Sequence, residues 1–185
     1  MSAIMKDVEV SHAEQNAASW YGSIVKLVAA LGVDYDRLEE LRGERQALAD
    51  EADGGSGAQQ EALNIWDGDN AEELRELTEA ATIDGDIQTD AEAVREWIQE
   101  GPLSVEVRSG WYALGGDSTP EEFNILLSTG GPALRLMGDL DEHGEPIRAY
   151  LQYQDWGTPW MDYYAGEGSD AVLLIYAQQF YFGEG

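Results

Sequence analysis

Glutamates recur at helical spacing in two parts of the sequence. Two sets of three carboxylates would each lie on one face of a helix: Glu72, Glu76 and Glu79, and Glu92, Glu96 and Glu100. Like charges three or four residues apart are neighbours on a helix, about 5–6 Å apart, and cost roughly 0.2–0.5 kcal/mol per pair. Phosphates advance about 3.4 Å per nucleotide along a strand of duplex, so such a row is similar in scale to a nucleic-acid strand. The spacing therefore predicts a surface that imitates nucleic acid.

The whole chain is strongly acidic. Its 185 residues include 37 Asp and Glu against 10 Lys and Arg, a formal net charge of −27. Residues 34–100 hold 21 of these acids and five Arg, a net charge of −16. This charge excludes a protein that binds the phosphate backbone and disfavours docking on anionic membranes. At one charge per about 1.7 Å of duplex, the whole charge corresponds to roughly 46 Å of DNA, or some 13 base pairs.

The residues expected to contact a partner are glutamates of this acidic region. The first group comprises the two rows and one neighbour: Glu72, Glu73, Glu76, Glu79, Glu92, Glu96 and Glu100. A second group lies earlier in the chain: Glu39, Glu40 and Glu44. The expected partner is a basic nucleic-acid-binding surface, a Lys/Arg channel in which the acidic rows would take the place of DNA.

Catalytic chemistry has little support in the sequence. A Ser–His–acid arrangement would need His12 or His143, the only two histidines, and neither lies in a nucleophile-elbow context. The chain has no Cys, which excludes disulfides, thiolate nucleophiles and Cys-ligated zinc. Gly130-Gly131 lacks the following Lys-Ser/Thr of a phosphate-binding loop and indicates a hairpin turn. We expect no enzyme activity, no catalytic residue and no cofactor.

Two acidic stretches resemble the start of a calcium loop, at residues 67–70 and 84–86. Counting from Asp67, the sixth position, where an EF-hand needs Gly, is Glu72. Counting from Asp84, the sixth position is Thr89 and the twelfth is Arg95. Both stretches fail as EF-hand loops, so turn and helix-capping roles are favoured and no metal site is expected.

The hydrophobic pattern changes period near residue 101. Helices are predicted at residues 11–31, ending at Gly32, then from the N-cap Asp34 to about residue 49, at 70–81 with a cap at Asp69 or Asn70, and at 90–100 with a cap at Asp90. The acidic, glycine-rich residues 50–57 are expected to form a loop. Strands are predicted at residues 103–107, 122–128, 133–140 and 147–153, followed by a helix at 170–181.

This pattern predicts an α+β protein. A helical acidic region, residues 1–100, precedes an antiparallel meander with a C-terminal helix packed on it, residues 101–185. The two regions could also form one compact unit. No apolar run approaches the length of a membrane span, and the acidic start lacks the features of a signal peptide, so we expect a soluble cytoplasmic protein.

Aromatic residues are dense in the C-terminal half. They include Trp111, Tyr112, Trp156, Trp160, Tyr163 and Tyr164. Trp and Tyr dominate protein-binding hot spots, so this cluster could bind a partner protein. Core packing around a compact turn is the interpretation that we favour.

The C-terminal half contains two distinctive strings, Asp-Trp-Gly-Thr-Pro-Trp and Gln-Phe-Tyr-Phe-Gly-Glu, within residues 153–160 and 176–184. Together with residues 122–133, these stretches resemble a family of small phage- and plasmid-encoded proteins. The resemblance covers about residues 119–184. The resemblance implies an origin in a mobile element, where acidic anti-restriction and anti-CRISPR proteins occur, and it identifies no catalytic residue. The acidic region 34–100 lies outside the shared part.

The sequence favours an inhibitor of a bacterial DNA-recognising defence complex, with CRISPR effectors ahead of restriction enzymes. An alternative of another class is an accessory module that binds a partner through the aromatic surface around Trp156 and Trp160, with the acid serving solubility or salt adaptation. A third alternative is a hydrolase that uses carboxylates. Rising ionic strength should weaken mimicry steeply and an aromatic interface much less.

Overall fold

The fold is α+β, as the sequence predicts. The computed structural model describes residues 11–116 and 118–183. The helices are α1 (His12–Leu31), α2 (Tyr35–Ala52), α3 (Gly57–Ala80), α4 (Ala91–Glu100) and α5 (Ser169–Ala177). The strands are β1 (Thr82–Ile83), β2 (Asp86–Ile87), β3 (Ser104–Ser109), β4 (Pro120–Ser128), β5 (Ala133–Leu140), β6 (Pro146–Gln154) and β7 (Met161–Tyr163).

The chain divides into two compact units. Residues 11–25 and 97–183 belong to one unit, and residues 26–96 belong to the other. The division falls within α1 and α4. We call the first the sheet unit and the second the helical unit.

Helix α1 forms where its apolar spacing predicts it. Ala17, Ile24 and Leu27 recur on one side of the helix and are buried. The helix ends at Leu31, and Gly32 follows in a turn. The prediction for residues 11–31 is confirmed.

Helix α2 begins at the predicted cap and runs past its predicted end. Asp34 Oδ1 accepts a hydrogen bond from the Arg37 backbone N–H at 2.9 Å, which satisfies a helix-terminal donor. The helix continues to Ala52, so the predicted loop at residues 50–57 is reduced to residues 53–56. Leu38 and Leu41 are buried, as expected of its apolar side.

Helix α3 is much longer than the predicted segment 70–81. It begins at Gly57, where the Ser56 backbone N–H donates to Gln59 Oε1 at 2.7 Å. Residues 67–70 lie inside this helix, so their predicted role as a turn and cap is wrong. Gly68 is tolerated there because contacts with α2, described below, hold the surrounding turns in place.

A short hairpin that the sequence did not indicate follows α3. Strands β1 and β2 pair through Thr82 with Ile87 and Ile83 with Asp86. Asp84 and Gly85 form the connecting turn, and both have positive φ, 50° and 96°. The turn role predicted for residues 84–86 is confirmed, but two-residue strands are too short for a period-two pattern to predict.

Helix α4 has the predicted bounds and cap. Asp90 Oδ1 accepts a hydrogen bond from the Ala93 backbone N–H at 2.8 Å, and this bond lowers the pKa of Asp90. Val94 and Ile98 are buried on one side of the helix.

The sheet is a five-stranded antiparallel meander in the order β3-β4-β5-β6-β7. Its core face alternates strictly with its outer face along β4 and β5, and the buried side chains include Phe123, Ile125, Leu134 and Leu136. The predicted strands are confirmed, and the three-residue strand β7 is an addition. The apolar side chains of β3 face the same way as this core but stay exposed.

Helix α5 packs against β6 and buries Leu173, Tyr176 and Ala177. Burial raises the pKa of the Tyr176 hydroxyl. The helix ends at Ala177 and not at Tyr181, because the chain turns there and brings the Phe182 ring onto Phe123. Their ring centroids lie 4.7 Å apart. Among the described residues, no helix is both long and apolar enough to cross a membrane.

Candidate functional site

Helices α2 and α3 form an antiparallel hairpin joined by charged and polar contacts. The Arg37 guanidinium binds both carboxylate oxygens of Glu73, with Nε–Oε1 and Nη2–Oε2 distances of 3.0 Å. Arg45 Nε donates to Asp67 Oδ1 at 2.8 Å, and Trp66 Nε1 donates to Glu44 Oε2 at 3.0 Å. We call this set of contacts the hairpin seam.

The seam engages three of the predicted partner-binding glutamates. Glu73 and Glu44 bridge the two helices, and Glu40 accepts a hydrogen bond from Arg37 Nη1 at 2.7 Å. The hydrogen bonds from Arg37 lower the pKa of Glu73, and both carboxylates raise the pKa of Arg37. The seam therefore gives these three carboxylates a local structural role.

The outer side of α3 carries five exposed carboxylates. At 100° per residue, the members fall within about 80° of arc. We call them the α3 acidic row: Glu61, Asp69, Glu72, Glu76 and Glu79, all exposed. From the first to the last, the helix rises about 27 Å. Ile65, which lies among them, is 60% exposed.

Only part of the α3 acidic row was predicted. Glu72, Glu76 and Glu79 lie together as their spacing predicts. Glu61 and Asp69 were missed because the helix was predicted to begin at about residue 70. The signal that could have found them is Ser56 with Gln59 three residues later, a capping pattern at the start of a helix.

One arginine partly neutralises the end of the α3 acidic row. Arg75 Nη1 lies 2.9 Å from Glu79 Oε1, and its Nη2 lies 4.0 Å from Glu76 Oε1. The hydrogen bond with Glu79 raises the pKa of Arg75, and the nearby charges of Glu79, Glu76 and Glu72 add to this effect. Glu61, Asp69 and Glu72 have no hydrogen bond or ion pair to another side chain among the described residues.

Helix α4 presents the second predicted row. Glu92, Glu96 and Glu100 are exposed on the side of the helix opposite the buried Val94 and Ile98. Glu92 forms an ion pair with Arg95. On α2, the predicted residue Glu39 is exposed as well.

The aromatic residues of the C-terminal half do not form a core, so that interpretation is wrong. Trp156 is 78% exposed and Tyr164 is 73% exposed. Trp156 lies against Gly131, where a Cβ would overlap its indole ring. Trp160 is half-buried because the Arg135 guanidinium stacks on its ring, 4.1 Å from the centroid.

The remaining candidate groups stand apart from one another. His12 and His143 are exposed, and His143 lies 3.5 Å from Glu142 in the β5–β6 turn. That turn is closed by Asp141, which accepts backbone hydrogen bonds from His143 and Glu145, and these bonds lower its pKa. Within residues 11–116 and 118–183, no group of three or more His, Asp or Glu side chains is placed to hold a metal ion.

Comparison with protein-family models, curated proteins and solved structures finds no match to this chain.

Proposed function

We propose that this protein is a non-catalytic inhibitor that imitates DNA and occupies the DNA-binding channel of a bacterial defence complex. The observation that carries this proposal is the α3 acidic row. Five carboxylates are exposed along about 27 Å of one helix, which is the rise of about eight base pairs of duplex. A Lys/Arg channel that binds phosphates would be attracted to such a surface.

The placement of the arginines supports the proposal. Arg37 and Arg45 bind carboxylates across the hairpin seam. A sequence selected only for helix stability would instead alternate Glu with Lys or Arg along the exposed face. Among the described residues, the ion pairs of the α3 acidic row are those of Arg75 with Glu76 and Glu79, so the row carries a cost in like-charge repulsion.

The proposed partner is a DNA-recognising complex in the cytoplasm of a bacterial host. A CRISPR effector is favoured over a restriction enzyme. The mobile-element origin implied by the resemblance supports this choice, since such elements meet these complexes on entering a cell. Binding would be driven by charge, with fast association and release of the counterions held by the channel.

The test measures how purified CRISPR effectors and a restriction enzyme bind labelled target DNA, with and without this protein. We expect the protein to displace DNA from at least one of them. A row variant combines Glu61→Lys, Asp69→Lys, Glu72→Lys and Glu76→Lys. A control variant with the same change in net charge combines Glu121→Lys, Glu142→Lys, Glu145→Lys and Glu167→Lys, which are exposed in the sheet unit.

We expect the row variant to lose displacement and the control variant to keep it, with circular dichroism verifying that both are folded. Direct binding of the protein to the complex, measured without DNA, should also weaken steeply between low and high salt, as the binding of DNA does. Equal inhibition by the two variants would contradict the proposal, because net charge or another surface would then be responsible for displacing DNA.

The exposure of Trp156 supports a second candidate function, an accessory module that binds a protein partner through Trp156 and the neighbouring Trp160. A Trp on a turn offers a large apolar contact surface, of the kind found at binding hot spots. Trp156→Ala should then abolish capture of the partner, and capture should persist at high salt. Loss of capture in the row variant instead would favour DNA mimicry.

A further inference from the structure

Strand β3 lies at the edge of the five-stranded sheet. Among the described strands it pairs with β4 alone. The opposite edge of β3 therefore presents backbone N–H and C=O groups that another strand could pair with.

The apolar side chains of β3 extend the core face of the sheet without being covered. Val105 pairs across from Ile125 and Val107 across from Phe123, and these two partners are buried. Val105 and Val107 themselves are 41% and 45% exposed. The chain on either side of β3 is similar, since Leu103 is 60% exposed and Trp111 is fully exposed.

The other face of β3 carries one anion and one cation, two residues apart. Arg108 forms an ion pair with Glu122 on β4, and Glu106 accepts a hydrogen bond from Asn124 Nδ2 at 3.0 Å. Glu106 and Arg108 are both exposed. A strand with this order of charges is complementary to an antiparallel copy of itself.

We propose that β3 pairs with β3 of a second copy of this chain, antiparallel, with the twofold axis passing through Val107. In this register Glu106 lies opposite Arg108 of the second copy. Each Arg108 is then placed between Glu122 of its own chain and Glu106 of the other. On the core face, Val107 meets its own counterpart, and the two five-stranded sheets become one sheet of ten strands.

The charges select this register over its neighbours. An axis through Glu106 would place two carboxylates directly opposite each other, and an axis through Arg108 would place two guanidinium groups there. Like charges directly opposite are destabilising in a sheet. A shift of one residue in the pairing would set the valines of one copy on the polar face of the other.

The overall charge of the protein determines how the pairing should respond to salt. Two chains of net charge −27 repel each other over long distances, and salt screens this repulsion. The dimer should therefore strengthen as ionic strength rises, whereas the proposed binding to a basic channel should weaken. The two proposals can fail independently for this reason.

The first test traps the contact with a single thiol, since the chain has no Cys. Residues directly opposite in an antiparallel pair have Cα atoms about 4.5–5.5 Å apart, a separation that a disulfide can span. Under oxidation by copper phenanthroline at high salt, Val107→Cys should give a covalent dimer. Ile147→Cys, exposed on strand β6, is the control and should remain monomeric.

The second test exchanges the charges and measures mass by sedimentation velocity. Arg108→Glu alone, or Glu106→Arg alone, should abolish the dimer because like charges would then lie opposite each other. The two single variants mixed together should form a heterodimer, since every pair across the axis becomes complementary again. Circular dichroism establishes that each variant is folded.

Three results would overturn the proposal. The first is a monomer at every concentration and salt. The second is cross-linking of Val107→Cys no faster than that of Ile147→Cys. The third is a dimer that the single charge reversals leave unchanged, because its interface would then lie elsewhere on the protein.

Discussion

Arg37 on α2 holds Glu73 on α3 through two parallel hydrogen bonds of 3.0 Å. This bidentate pair joins the two helices of the hairpin near the open end of the seam, and Arg45 with Asp67 joins them further along. Glu73 is adjacent in sequence to Glu72, yet the two have different surroundings. Both carboxylates are exposed, but Glu73 is hydrogen-bonded in the seam, whereas Glu72 belongs to the α3 acidic row.

Glu73→Gln should lower the thermal midpoint slightly at neutral pH, because the ion pair with Arg37 is lost. The pKa of Glu73 is lowered by Arg37, so its stabilising contribution is full above the pKa of an unfolded glutamate, about 4.3. That contribution disappears as pH falls through the lowered pKa. Melting curves from pH 7 to pH 2 should show this loss of thermal midpoint shrinking as pH falls. Glu72→Gln should not lower the midpoint at any pH.

Gly68→Ala should stabilise helix α3. Gly68 lies in the helix interior with open space where a Cβ would be added. Alanine in a helix is favoured over glycine by roughly 0.5–1 kcal/mol. Urea unfolding followed by circular dichroism should show a higher midpoint. Gly85→Ala is the contrasting variant, because Gly85 has a φ of 96° and alanine there should lower stability.

Gly138→Ala should destabilise the sheet. Gly138 on β5 lies directly across from Phe123 on β4, and an added Cβ would overlap the Phe123 ring and the Arg148 carbonyl oxygen. Overpacking of this kind costs about 1–3 kcal/mol. Loss of the Phe123–Phe182 stack should appear in the near-ultraviolet circular dichroism spectrum together with a lower unfolding midpoint. An unchanged midpoint would contradict this prediction, because it would mean that neighbouring residues of the sheet shift to accommodate the methyl group without loss of stability.

Added salt should raise the thermal midpoint, because it screens repulsion among the carboxylates. Glu72→Gln with Glu76→Gln should raise the midpoint at low salt, since like-charge pairs at this spacing cost roughly 0.2–0.5 kcal/mol each. Added salt should raise the thermal midpoint of this double variant less than that of the unmodified protein. Glu142→Gln with Glu167→Gln removes equal charge outside the row and should change the salt response less.

The sequence by itself determined the elements whose signals are local. Period-two alternation located β4, β5 and β6, because alternate residues of a half-buried strand must be apolar. Asp34 and Asp90 located two helix starts, since their side chains cap neighbouring backbone N–H groups. The spacing of Glu72, Glu76 and Glu79 likewise placed them on one face of a helix.

The tertiary structure decided what depends on contacts between distant residues. Helix α3 continues through Gly68 because Trp66 and Asp67 bind residues of α2 some twenty positions earlier, and those contacts outweigh the local turn signal of Gly68. The same contacts give Glu44 and Glu73 hydrogen-bond partners on the other helix, which the carboxylates of the α3 acidic row do not have among the described residues, although all carry the same charge in the sequence. The sequence does not determine the exposure of Val105, Val107 and Trp156 either. Hydrophobicity gives only the tendency of a side chain to be buried, and the arrangement of the strands decides which apolar faces are covered.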